Sequence, residues 1–130
     1  MTNFTLDITR FVEHTGLGFD TVVKKVVLDI SRSVIRKSPV KTGRFKGNWQ
    51  YGEGSAPSGT LDVTDTSGSV TLANIAGQIP AHPAGLVHYI VNNLPYAQAL
   101  EDGHSIQSPP GNMVHDTVSD FQRFIDDAIR

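Results

Sequence analysis

All seven prolines and ten of the twelve glycines lie between residues 39 and 111. Proline removes a backbone donor, and glycine is costly inside regular elements. The middle of the chain is therefore expected to be short elements joined by loops, with long helices confined to the two ends. Before this span, Val22, Val23, Val26, Val27, Ile30 and Val34 recur at three- and four-residue spacing. That periodicity is one apolar helical stripe. Asp20 is expected to cap it, after a Gly16-Leu17-Gly18 break from a shorter amphipathic piece over Ile8 to His14. Ser38, pushed out of helical geometry by Pro39, ends it. Lys24, Lys25, Arg32 and Arg36 fall on the opposite, exposed side. Beyond the span, Val114, Val118, Phe121, Ile125 and Ile129 predict a C-terminal helix that starts at Gly111-Asn112, after Pro109-Pro110.

Inside the span the patterns are shorter. Phe45 to Gly52 reads as a strand, with Phe45, Trp49 and Tyr51 as aromatic β-formers. Residues 53–58 are loop by composition. Leu61 to Val63 is a weak strand, and Val70 to Ile75 is either strand or short helix. Leu86 to Val91 is the firmest strand, with His88 and Tyr89 on opposite faces. Pro95 offers a helix start, Tyr96 to Leu100 a turn of helix, and Gly103 its end. The expectation is one α+β domain over residues 1–130, a small, mostly antiparallel sheet packed against the two end helices.

With 130 residues and no cysteine, disulfides and thiolate metal sites are excluded. A reducing cytoplasm fits that composition. No run has the roughly 18 apolar residues of a membrane span. The start, MTNFTLDITR, has an acid where a signal peptide has bases, so none is expected. Net charge is −2 but unevenly placed. From Lys24 to Lys46 eight bases face one acid, a local charge of +7; from Gly47 onward nine acids face two bases, giving −7. Two readings fit: a nucleic-acid surface on the basic segment 24–46, or one subunit's positive face stacked on another's negative face.

Candidate chemistry is sparse. Glu101, Asp102 and His104 lie within four residues, which suggests acid–base catalysis or a metal-assisted hydrolase. Adjacent acids on a helix end diverge, however, so a solvated helix terminus is favoured. The five histidines form no HxH, HExxH or HxxxH pair. GLGFD (16–20) and KTGRFKG (41–47) lack the spacing of phosphate loops. Lys41, Arg44, Phe45, Lys46 and Trp49 mix bases with aromatics as a base-stacking platform does, against a negative overall charge. No metal or cofactor is expected.

SPVKTGRFKGNW (38–49) follows the first helix, and YIVNNLPYAQALEDGHSIQSPPGNMV (89–114) leads into the last. Together they resemble the neck and tail-completion proteins of long-tailed bacteriophages, small lambda-like minor tail components. The shared positions are Ser38, Pro39, Val40, Thr42, Gly43 and Arg44, then Asn93, Pro95, Tyr96, Ala97, Glu101 and Gly103, then Pro109, Pro110 and Gly111. The direct match covers about a third of the chain; residues 54–84 match nothing in it. The resemblance implies a non-enzymatic virion protein, made in the host cytoplasm, with a small sheet or half-barrel flanked by helices. It implies self-assembly into a sixfold ring at the head-proximal end of the tail. Its neighbours would be other neck, head-closure, terminator or tail-tube proteins, with DNA passing through the lumen unread. Tail termination or head closure is the alternative within the same family.

A head-to-tail ring needs two different complementary patches on one subunit. The expected interface takes Lys41, Thr42, Arg44 and Trp49 from the first segment, and Asn93, Tyr96, Glu101 and Asp102 from the second. Arg44 or Lys41 is expected to pair with Glu101 or Asp102, within a subunit or between neighbours, with Trp49 and Tyr96 as aromatic anchors. For Tyr96 a place in the core is an equal alternative.

Overall fold

A computed structural model describes residues 18–102 and 113–129. The expected piece over Ile8 to His14, the Gly103 stop, His104 and the Pro109–Asn112 helix start lie outside them. The chain is α+β. Helix α1 (Phe19–Arg36) buries Val22, Val23, Val26, Val27 and Val34 as expected, and leaves Lys24, Lys25, Arg32 and Arg36 exposed; Ile30 of the expected stripe is only partly buried, while Ile35, outside it, is buried. Asp29 on that exposed face holds Lys25 at 2.8 Å and Arg32 at 2.9 Å. Gly18, not Asp20, is the N-cap. Asp20 sits in the first turn and turns away from the helix, accepting the Ala84 N–H at 3.0 Å and lying 2.9 Å from His82 Nδ1. The His82 contact first and the Ala84 N–H second hold its carboxyl below the usual carboxylate range.

The expected strand from Phe45 forms only in its second half. Gly43 adopts φ +85, a left-handed conformation that favours glycine. It starts a single helical turn, α2 (Arg44–Gly47), and strand β1 (Trp49–Glu53) begins two residues later. Strand β2 (His88–Asn92) pairs antiparallel with β1 in the register Trp49↔Asn92 to Glu53↔His88. Among the described residues this two-stranded ribbon is the only sheet, and Leu61 to Val63 is not a strand. Residues alternate across a sheet, so Trp49, Tyr51 and Ile90 face the core, while Gln50, Gly52, Val91 and Asn93 face a covering loop.

Val70 to Ile75 resolves as helix α3 (Ser69–Gln78). Its start is fixed from upstream: the Asp65 carboxylate accepts the Gly68 N–H at 3.1 Å, the Thr71 N–H at 2.8 Å and the Thr71 hydroxyl at 2.7 Å. Partial burial pushes that carboxyl up, but the bonds from Thr71, Gly68 and Ser67 outweigh it and hold it low.

After α4 (Ala97–Glu101), the C-terminal helix is two pieces, α5 (Val114–Ser119) and α6 (Phe121–Ala128), broken at Asp120. The Asp120 carboxylate bridges Lys37 at 3.3 Å and Arg123 at 3.1 Å, and these bases hold it below its ordinary range, Lys37 foremost. The break turns the first half of the expected stripe outward. Val114 and Val118 are 45% and 57% exposed, while Met113, Thr117, Phe124, Ile125 and Ala128 are buried. Helix α1 packs against α3, α5 and α6, and β1 against α3. The fully buried Val22, Val26, Ile75, Met113 and Ile125 mark the centre; burying each such side chain contributes about 1.5–3 kcal/mol.

Candidate functional site

The register Trp49↔Asn92 brings the end of segment 38–49 beside the start of 92–102. Asn92 joins them twice. Its Nδ2 donates to the Phe45 carbonyl at 2.9 Å, and its Oδ1 accepts the Leu94 N–H at 3.3 Å, turning the chain out of the strand. Phe45 then lies between two rings, edge-on to Trp49 at 6.0 Å and tilted against Tyr96 at 5.9 Å. Such pairs are worth about 0.5–1.5 kcal/mol beyond area burial.

The two expected aromatic anchors part company. Tyr96 is 45% exposed at the outer end of this row, whereas Trp49 is 5% exposed. Trp49 Nε1–H donates to Ser38 Oγ at 2.8 Å, and Ser38 Oγ–H donates to the Val34 carbonyl at 2.6 Å. Met113 Sδ lies 3.6 Å from the same hydroxyl. Trp49 thus anchors α1 and the C-terminal helices inside the subunit.

Glu101 also works inside the chain. Its Oε1 accepts the N–H groups of Met113 at 3.2 Å and Val114 at 2.9 Å, and its Oε2 accepts that of His115 at 3.0 Å. Those are orphan donors at the start of α5, satisfied by a carboxylate from α4. Among the described residues the expected pairing of Glu101 with Arg44 or Lys41 within a subunit does not form, and the carboxylate turns to these amides instead. Asp102 accepts Gln98 Nε2–H at 3.0 Å. Lys41 and Arg44 are exposed, and no ion pair among the described residues reaches either. Thr42 Oγ1 accepts the Arg44 N–H at 3.2 Å and shapes the turn. Asn93 Nδ2 donates to the carbonyls of Pro57 and Gly59, both at 3.0 Å.

That last contact belongs to a clamp the sequence did not reveal. Gln50 Nε2 also reaches the Gly59 carbonyl, at 3.0 Å. Asn48, fully buried, grips Leu61 at both backbone groups, accepting its N–H at 2.7 Å and donating to its carbonyl at 3.1 Å. A second donation, to the Arg44 carbonyl at 2.8 Å, completes the amide. Three side-chain amides thereby hold the loop across the outer face of the sheet. Their only local signal was an asparagine between glycine and tryptophan, which carries no pattern.

The chemical options narrow accordingly. His88 lies 2.6 Å from the Tyr51 hydroxyl through Nδ1 and 2.9 Å from the Pro83 carbonyl through Nε2, so both ring nitrogens are engaged. Burial, then the Glu53 charge, pushes the Tyr51 hydroxyl up. Among the described residues no three His, Asp or Glu side chains converge as metal ligands. Phe45, Lys46 and Trp49 are buried, so they form no base-stacking platform; Lys24, Lys25, Arg32, Arg36, Lys41 and Arg44 remain exposed. No described helix is long and apolar enough to cross a membrane.

Beside the corner runs an open groove between β2, α4 and α5, lined by Ile90, Ala97, Met113, Val114 and Val118. Asp102, just past α4, and Asp116, on α5, are exposed beside it. Comparisons with family models, with curated proteins and with solved structures find no match for the chain.

Proposed function

We propose that this chain is a structural protein of the neck of long-tailed bacteriophages. It assembles head to tail as a ring that completes the tail and joins it to the head. The observation that supports this most is the shared corner. Two segments some 50 residues apart, recognised from the resemblance alone, meet where Trp49 pairs with Asn92, Asn92 bonds the Phe45 carbonyl and Phe45 packs on Tyr96. Residues of the two segments divide into two sets. Ser38, Trp49 and Glu101 build the corner, while Lys41, Arg44, Tyr96 and Asp102 remain at its surface. A fixed corner carrying exposed groups of both signs suits an adaptor that meets copies of itself and neighbouring rings.

The test is imaging of particles made with the coding sequence deleted. Full heads and finished tails that accumulate unjoined are expected. Abnormally long tails place the protein at tail termination instead, and normal virions overturn the reading. A DNA titration across salt addresses the basic segment: steep loss of affinity with salt is the signature of phosphate contacts.

A further inference from the structure

We propose that the groove beside β2 receives residues 60–65 of a second copy of this chain. The proposal rests on the head-to-tail reading above and names the surfaces that would join.

The acceptor is the outer edge of β2, which pairs with no other strand among the described residues. Gly54 N–H bonds the Val87 carbonyl at 2.9 Å, one step beyond the Glu53↔His88 pair. Bonded pairs alternate in an antiparallel ladder. The N–H and C=O groups of His88, Ile90 and Asn92 therefore point away from β1, and no hydrogen bond among the described residues reaches them. Unpaired edges of this kind are templates for another strand. Val114 and Val118 stand exposed in the groove next to that edge.

The donor is Thr60-Leu61-Asp62-Val63-Thr64-Asp65, which alternates apolar and polar residues as a strand does yet forms none in the subunit. It lies along the Gly43–Asn48 turn, held by Asn48 at Leu61 and by the Asp65 N–H to the Gly43 carbonyl at 2.9 Å. The backbone of Asp62, Val63 and Thr64 has no hydrogen bond among the described residues, and Leu61 and Val63 are 41% and 45% exposed.

A second copy is the occupant because the flanking charges are complementary. Arg44 stands exposed on the turn that carries the donor and Lys41 just before it, while Asp102 and Asp116 stand exposed beside the acceptor; the donor's own exposed acid, Asp62, alternates to the side away from Leu61 and Val63. The cleft against residues 61–65 and the acceptor groove share only Trp49 among their lining residues. Each copy thus offers both surfaces at once, as a head-to-tail contact requires.

The chain has no cysteine, so single cysteines report the contact directly. Val63→Cys and Val118→Cys are made separately and together, and each fold is checked by circular dichroism. On oxidation, the mixture of single variants is expected to give a disulfide heterodimer at least tenfold faster than either variant alone. The double variant is expected to give a ladder of multimers. A faster Val118–Val118 dimer, or no cross-link above the single-variant controls, overturns the proposal. The same variants are blotted in purified phage particles. Protein present in particles without the Val63–Val118 cross-link refutes this contact and leaves the neck assignment standing. Protein absent from particles refutes the assignment itself.

Discussion

Glu101→Ala should unfasten the start of α5. The substitution removes the acceptor of three backbone N–H groups, at 3.2, 2.9 and 3.0 Å. Losing an N-cap costs about 0.5–2 kcal/mol, and hydrogen bonds to a charged group carry about 1.5–3 kcal/mol. Glu101 is half-buried, so a total of about 2 kcal/mol is expected. For a domain of this size that lowers Tm by roughly 8 °C. Asp102→Ala, which loses one surface contact with Gln98, should stay within about 0.5 kcal/mol of the parent. Glu101→Gln falls between them. Its amide oxygen can still accept from Met113 and Val114, but its NH2 then faces the His115 N–H, donor against donor. Thermal unfolding by circular dichroism measures the shifts, and amide hydrogen exchange at residues 113–115 locates them. Arg44→Glu added to Glu101→Lys should not restore stability, since Arg44 is not Glu101's partner within the subunit. A Glu101→Ala shift no larger than that of Asp102→Ala would refute the capping role.

Four further outcomes follow from the same geometry. Asn48→Ala strips three hydrogen bonds from a fully buried site and is expected to cost about 2–4 kcal/mol, read in urea unfolding and in faster exchange of the Leu61 amide. Gly43→Ala forces a left-handed φ on alanine and sets its Cβ 2.6 Å from the Thr66 nitrogen; a loss of about 2–4 kcal/mol is expected in the same urea measurement. The carboxyls of Asp20, Asp65 and Asp120 are all held below their unfolded value of 3.8. Their contribution is therefore complete above that pH and lost as pH falls through the lowered values, and Asp65→Asn should flatten this acid limb of a stability-against-pH curve. Trp49, the only tryptophan, should show blue-shifted emission and weak iodide quenching, both unchanged when single-stranded DNA is added; quenching by DNA would restore the stacking platform.

Local pattern made some of this legible and long-range bonding hid the rest. The valine stripe of α1 was readable because one face carries the apolar residues and Pro39 limits its length. The turn at 44–47 was not, because Phe45 has the strand propensity of its neighbours and the deciding residue is Gly43, whose conformation depends on the Asp65–Thr66 backbone packed against it. The C-terminal stripe ran straight through Asp120 in sequence; the break there is stabilised by Lys37, more than 80 residues away. At the corner, the sequence marked Glu101 as a functional acid, but only the fold shows that backbone amides engage it. Across residues 54–68 the local pattern, a weak strand at Leu61 to Val63, misled, since amide side chains on the strands and their flanks, together with the Asp65 carboxylate, determine where they lie.

Ser38 has a consequence for how this chain can change. It stands just past α1 and meets Val34, Trp49 and Met113 at one hydroxyl. Adding or removing one residue within α1 would swing everything after it by about 100° and 1.5 Å relative to the valine stripe. The stripe and the hydroxyl could not then both face inward. The distance from Val22 to Ser38 behaves as a ruler of fixed length. Related sequences should tolerate insertions at residues 54–56, exposed and ahead of the clamped Pro57 and Gly59 carbonyls, and preserve this count without a gap.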